Sequence, residues 1–236
     1  MNSTEPTFPR TLYLCRHGQS EANVANARAI AAGAAALGPV DDDRDVRLTA
    51  LGELQARALG AYLERQQHPP RAIVTSPFRR CYETARIAGE SLDIVRDDIL
   101  ADPRLRERNL GLLDRLTPIG IRERYPQEAA ARAAVGKYAY RPPNGESWMD
   151  VADRVRAVCD ALFERFAGSD VAVITHQAVI LCMRYVIEGL TITELGAIDQ
   201  ASEVRNCGVT SYAFVDRRLQ LTAYNVDPLE VETPHA

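Results

Sequence analysis

The chain has 236 residues, a formal net charge of −4, 46% hydrophobic residues and 25% charged residues. That length carries one large α/β core, and the mild acidity offers no basic surface for nucleic acid. No apolar run approaches the ~20 residues of a membrane span, and the five cysteines (Cys15, Cys81, Cys159, Cys182, Cys207) lack metal spacing and fit buried free thiols in a reducing cytoplasm.

Met1 to Arg10 is polar, carries Glu5 and has no apolar h-region, so no signal peptide is expected. Leu12-Tyr13-Leu14-Cys15 is a short apolar run of the kind that forms a strand buried on both faces. It stops on Arg16-His17-Gly18. Gly18 permits a tight turn, and Ser20 is placed to cap a helix from Glu21. A strand that feeds a helix start through a glycine turn is a natural anion site. Arginine grips phosphate bidentately, and neutral histidine is a nucleophile. The chemistry suggested is attack of His17 on a phosphoryl group held by Arg16.

Ala25 to Leu37 is alanine-rich, and Gly38-Pro39 then breaks it. The acidic run Asp41 to Asp45 reads as a solvated loop in a surface excursion over 25–47 that follows the catalytic turn. Thr49 caps the next helix, with Leu51, Leu54, Ala58 and Tyr62 as its expected buried face. Ala72-Ile73-Val74-Thr75 is a second buried strand. Ser76-Pro77 predicts a helix start, with Ser76 at the N-cap. Arg80 in that first turn opposes the helix dipole, and a phosphate at the helix mouth would explain it. Ile94-Val95 is read as a short strand.

Leu105-Arg106-Glu107-Arg108-Asn109-Leu110-Gly111 is by itself a charged turn. Thr117-Pro118 opens a short helix to Tyr125, and Gln127 to Val135 forms another. Ser147 with Asp150 makes a capping pair for a long helix whose core side is Val151, Val155, Val158, Leu162 and Phe166. Val171 to Thr175 is the third buried strand, and it ends on His176. Sites in α/β sheets assemble at such strand ends. A mostly apolar helix (Ala178 to Glu188), a short polar helix near Ile192 to Gly196, and a hairpin turning at Arg217-Arg218 complete the chain. The expected domain is single, with its core at about 11–226 and flexible tails at 1–10 and 227–236.

Four ordered blocks carry a family resemblance. They are Arg16-His17-Gly18-Gln19-Ser20-Glu21-x-Asn23, Leu48-Thr49-x-x-Gly52-x-x-Gln55-Ala56, Ser76-Pro77-Phe78-Arg79-Arg80-Cys81-x-Glu83-Thr84-Ala85, and Leu105-x-Glu107-x-x-x-Gly111. Asn144-Gly145-Glu146-Ser147 and Asn206-Cys207-Gly208 extend them. Together they resemble the histidine phosphatase superfamily, also called phosphoglycerate mutase-like. The resemblance implies a three-layer α/β/α sandwich around a mostly parallel sheet. It implies that Arg16, Arg80, His17 and His176 surround one phosphate and that Glu107 is the proton donor. It further points to Asn23, Gln19, Ser20, Arg108 and Gln177 as substrate-binding residues. The family has Thr-His-Gly where this chain has Thr175-His176-Gln177, so a side chain enters there in place of glycine. The insertion at 137–141 commonly forms the pocket wall, which makes Lys137, Tyr138 and Arg141 candidates for substrate contact.

The function implied is a metal-independent phosphomonoester phosphatase working through phosphohistidine on His17. No cofactor is expected, and two adjacent arginines would repel a metal ion. The expected partner is a small phosphorylated substrate, with no nucleic acid and no membrane, in the cytoplasm. Oligomeric state is open, a homodimer included. A cofactor-dependent phosphoglycerate mutase is the rival, but mutases of the family follow the acidic residue with Arg-His-Tyr-Gly and carry a longer, more basic insertion. A non-catalytic phosphate-binding or scaffold protein is the third reading.

Overall fold

The structure, a computed structural model, describes residues 7–232; the expectations for Met1 to Pro6 and for 233–236 lie outside the described residues. In chain order the elements are β1 (Thr11–Arg16), α1 (Glu21–Ala31), α2 (Ala50–Glu64), β2 (Ala72–Thr75), α3 (Arg79–Glu90) and β3 (Ile99–Ala101). Then come α4 (Pro118–Arg124), α5 (Pro126–Val135), α6 (Trp148–Arg165), β4 (Asp170–Thr175), α7 (Gln177–Glu188) and α8 (Ile192–Ala201). The chain closes with β5 (Val209–Val215), β6 (Arg218–Val226) and α9 (Pro228–Glu232). One six-stranded sheet runs in the order β3-β2-β4-β1-β5-β6. β1 to β4 are mutually parallel, and β5 and β6 add an antiparallel hairpin at one edge.

The layers follow from the period-two alternation of strand side chains. Leu12 and Leu14 of β1 face one core with α6 and α7, through Val151, Val155, Ile180 and Leu181. Tyr13 and Cys15 face the other, with Leu59 and Leu63 of α2 and Ala85 and Ala88 of α3. Every residue of β1 and β4 is buried, as a parallel strand covered on both sides requires. Helices cover both faces of the sheet, which makes the three-layer α/β/α sandwich expected from the sequence.

Strand register sets the position of the site. Arg16 pairs with Thr175, so β1 and β4 end side by side. The His17 N–H donates to Thr175 O at 2.9 Å, and the Ser76 N–H donates to Ile174 O at 3.0 Å. The carboxyl ends of β1, β4 and β2 therefore open into one crevice.

Several elements differ from the sequence reading. Leu51 and Leu54 of α2 are exposed, while Gly52, Ala56, Leu59, Gly60 and Leu63 are buried. The helix turns its small residues inward because backbone lies against them: a Cβ on Gly60 would sit 2.5 Å from Ala88 O. The third strand is Ile99–Ala101, not Ile94-Val95. The Ile94 N–H closes the end of α3 on Gly89 O at 3.0 Å, and the chain turns before it can pair. Helix α8 runs through to Ala201. The hairpin turns at Asp216 and Arg217, both left-handed (φ 50° and 65°), so Arg218 already belongs to β6.

The ends are also more structured than expected within the described residues. Phe8 packs on Phe163 and Phe214 at ring-centroid distances of 5.0 and 5.3 Å, and Arg10 pairs with buried Asp170. At the other end α9 packs on α2.

The turn that follows His17 lies with its backbone directly against the backbone of α2. A Cβ on Gly18 would meet Gly52 O at 2.4 Å, and one on Gly52 would meet Gln19 O at 2.0 Å. Gly52→Ala should therefore lower stability by about 1–3 kcal/mol in urea denaturation, whereas Gly38→Ala, where nothing lies within 4 Å, should stay within about 0.5 kcal/mol. Equal midpoints for the two variants would refute this account of the loop.

Candidate active site

His17 sits just past β1, wholly buried. Its Nδ1 lies 2.8 Å from Gly18 O. A carbonyl only accepts, so Nδ1 carries the proton and Nε2 holds the free lone pair. Arg80 Nε donates to that Nε2 at 3.3 Å. Burial first, and then the charges of Arg80 and Arg16, push the His17 pKa well below its ordinary value. The imidazole is neutral at neutral pH.

His176 follows β4 and is fully buried. Arg80 Nη2 lies 3.3 Å from its Nδ1, which makes Nδ1 the acceptor. Its Nε2–H then points at Ser76 Oγ, 2.9 Å away. Burial, Arg80, His17 and Arg16 in that order depress its pKa as well. The two imidazoles meet edge to face with centroids 5.3 Å apart.

The cations are held as tightly. Arg16 Nη1 donates to Val204 O at 2.5 Å and to Glu203 at 2.9 Å. Its buried Nε has no hydrogen-bond partner, and an anion at the strand ends would fill that gap. Arg80 Nη1 donates to Asp43 O at 2.5 Å and pairs with the Asp43 carboxylate at 2.9 Å. The guanidinium also lies 5.3 Å from the Phe78 ring centroid.

Glu107 stands beside this cluster, its Oε2 3.9 Å from His176 Nδ1 and its side chain 27% exposed. Desolvation raises its pKa; the Arg108 N–H (2.7 Å to Oε1) and Arg80 oppose that shift, and Asp43 supports it. The surrounding loop is clamped by Glu146. That carboxylate accepts from Arg106 Nη2 at 2.7 Å, the Asn109 N–H at 3.0 Å and Arg154 Nε at 3.0 Å. Arg154 Nη1 in turn reaches Arg104 O at 2.5 Å. Burial works against ionisation of Glu146, but these bonds win and hold its pKa below the ordinary range.

A cavity of about 280 Å³ opens over these groups, and its lining includes Arg16, His17, Arg80 and Glu107 together with Asp41, Asp43, Asp114 and Arg115. Ser20 and Asn23 also line it. They form the capping box of α1, with Ser20 Oγ and Asn23 Oδ1 3.0 Å apart. A second cavity, lined in part by Arg106 and Arg108, shares Asp43, Glu107, Leu110 and Asp114 with the first.

The remaining candidates have other work. Lys137 and Tyr138 both engage Asp199, and Arg141 pairs with Asp150; none of the three lines either cavity. Their ion pairs and hydrogen bonds hold the insertion against α6 and α8. Gln177 is the first residue of α7, half-buried and outside both linings. The Gln19 side chain accepts from Thr49 Oγ1 at 2.9 Å, and its N–H donates to Gln55 at 2.8 Å. It therefore ties the turn to α2 and takes no place in the cavity lining. Ser76 does not cap α3, which starts at Arg79 with Phe78 as its N-cap; its hydroxyl is directed to His176 instead. Asp43, read from sequence as part of a solvated loop, is an active-site group. Sequence offered only the acidic run next to the catalytic turn as a sign.

The family model of the histidine phosphatase superfamily (branch 1) matches residues 12–227. The chain is 34% identical over 175 residues to 6-phosphofructo-2-kinase/fructose-2,6-bisphosphatase 3 of Rattus norvegicus, covering 74% of this chain and 27% of that protein. It is 33% identical over 175 residues to the 6-phosphofructo-2-kinase/fructose-2,6-bisphosphatase of Aquarana catesbeiana, covering 74% and 32%. The chain thus spans under a third of the length of these curated relatives. Among solved structures, a mycobacterial glucosyl-3-phosphoglycerate phosphatase in complex with VO3 superposes with a TM-score of 0.73 at 28% identity, over 92% of this chain and 99% of that one. YhfR of Bacillus stearothermophilus superposes with a TM-score of 0.75 at 26% identity, over 93% and 98%. With its blocks in order and nearly its whole length matched, the chain belongs to the histidine phosphatase superfamily, branch 1.

Proposed function

We propose that this protein is a phosphomonoester phosphatase that works through a phosphohistidine on His17. The observation that carries the reading is the His17 ring: Nδ1–H fixed on Gly18 O, and Nε2 within reach of the Arg80 guanidinium in a cavity that Arg16 also lines. A phosphate dianion placed there meets Arg16 and Arg80 with its equatorial oxygens, and Nε2 attacks phosphorus in line. The Nε2–P bond forms as the P–O ester bond breaks. Protonated Glu107 gives its proton to the departing alkoxide. Water then attacks the phosphohistidine, its proton passes to the Glu107 carboxylate, the Nε2–P bond breaks, and inorganic phosphate leaves.

The test is phosphate release from a panel of phosphomonoesters, including 3-phosphoglycerate with a coupled mutase assay. His17→Ala should cut release by at least about 10³-fold, and rapid quench of the wild type should trap acid-labile, base-stable phosphate on His17. Robust turnover by His17→Ala would sink the proposal. Isomerisation of phosphoglycerate in place of hydrolysis would point to the mutase.

The pH profile gives a second check. His17 must be neutral, which holds above its lowered pKa; Glu107 must be protonated, which holds below its raised pKa. Both shifts widen the pH range in which the two states coexist, so kcat/KM should peak on the acid side of neutrality and fall as pH rises through the Glu107 ionisation. Glu107→Gln should flatten that alkaline limb and slow alkyl esters about 10²–10³-fold, with a smaller loss on p-nitrophenyl phosphate, whose leaving group needs no proton. An unchanged profile in Glu107→Gln would remove Glu107 from the role.

A further inference from the structure

The lining of the cavity carries two kinds of charge. Part of it holds Arg16, His17 and Arg80, and includes the unbonded Arg16 Nε on a side chain more than nine-tenths buried. That orphan donor marks where an anion seats. The same lining also carries Asp41, Asp43 and Asp114, with Arg115 as a further cation. Arg115 is already engaged: Nη1 donates to Val40 O at 3.1 Å, Nη2 to Asp41 O at 2.5 Å, and Nε lies 3.9 Å from Asp114. Asp43 faces both cavities and stands 2.9 Å from Arg80. Burial, followed by Asp43, raises the Asp114 pKa, as expected where carboxylates line one cavity.

We propose, resting on the phosphatase reading above, that Asp41, Asp43 and Asp114 form an acidic collar around the leaving-group side of the cleft and determine its specificity. The collar admits phosphate esters of neutral or cationic alcohols and rejects esters that carry a second anion. Carboxylates accept hydrogen bonds from hydroxyl and ammonium donors. A second carboxylate or phosphate on the substrate would instead meet like charges on Asp41, Asp43 and Asp114, beside which Arg115 is already engaged. The collar is kept off the phosphate itself because the Asp43 carboxylate is bound to Arg80, which shares its charge between collar and phosphate.

Three two-carbon esters of nearly equal size separate charge from shape: 2-hydroxyethyl phosphate (neutral), O-phosphoethanolamine (cationic) and phosphoglycolate (anionic). Wild-type kcat/KM for the neutral and cationic esters should exceed that for phosphoglycolate by about tenfold or more. Asp114→Asn, which does not touch Arg80, and Asp43→Asn should each shrink that ratio about three- to tenfold, whatever they do to the absolute rate. Phosphoglycolate turned over as well as the neutral ester, or a ratio unmoved in both variants, would overturn the collar. Calorimetric binding of the same esters to His17→Ala keeps the two readings apart. Weaker binding of phosphoglycolate supports the collar even if no ester is hydrolysed and the phosphatase reading falls. Equal or tighter binding of phosphoglycolate defeats the collar even if hydrolysis is fast.

Discussion

Two buried arginines beside two buried imidazoles are the constraint on which the rest of this structure depends. Burying a guanidinium without a partner is costly. Arg16 meets that cost with the Val204 carbonyl and an exposed Glu203, and Arg80 with Asp43. The imidazoles cannot add positive charge to the same space, so both are held neutral. Neutrality gives His17 its lone pair, and the remaining unbonded donor on Arg16 leaves room for an anion. Nucleophile and phosphate affinity are therefore two results of one electrostatic arrangement.

That arrangement requires three strand ends to hold their register. A slip of one residue would turn Arg16 and its neighbours to the opposite face. The parallel pairing of β1 with β4, and of β4 with β2, fixes the register over buried Val, Ile and Leu side chains. The catalytic turn is then pressed against α2, where the paired glycines leave no room for a side chain on either backbone. The second sequence block, which holds no reactive side chain, matters for this reason. Its Thr49, Gly52 and Gln55 all hold the turn that bears His17.

Much of this was legible in the sequence because it is local. The run Leu12 to Cys15 announces a strand covered on both faces. Ser20 with Asn23, Thr49, and Ser147 with Asp150 announce helix starts through hydrogen bonds that span three residues. Arg16, His17, Arg80, Glu107 and His176 come from short ordered blocks. What stayed hidden depends on distant pairing. Asp43 reads as solvated until the fold brings Arg80 to it from 37 positions away. Glu146 reads as one member of a turn until Arg106, Asn109 and Arg154 converge on it. The face of α2 is legible only in part: Ala58 is buried as its spacing predicts, but Leu51 and Leu54 stay exposed although large apolar residues ordinarily mark a buried stripe, because close backbone approach brings Gly52 and Gly60 inward. Lys137 and Arg141 were equally ambiguous, because their partners Asp199 and Asp150 are set by packing.

Glu107 lines both cavities, and on the proposed reading this place would couple its proton to the substrate. In the free site desolvation and Asp43 favour its neutral form, while Arg80, Arg16 and the Arg108 N–H favour the carboxylate. A bound phosphate dianion spends the positive charge of Arg16 and Arg80 on its own oxygens and adds negative charge nearby. Both changes push Glu107 further toward protonation. The same dianion attracts positive charge toward His17, but that imidazole starts far below its ordinary pKa because of burial, so its lone pair remains available for attack. On the proposed reading, substrate binding would load the acid with its proton without disarming the nucleophile. On the proposed phosphohistidine reading, Glu107 would be left as a carboxylate once the alcohol has departed, which is the state the second step needs.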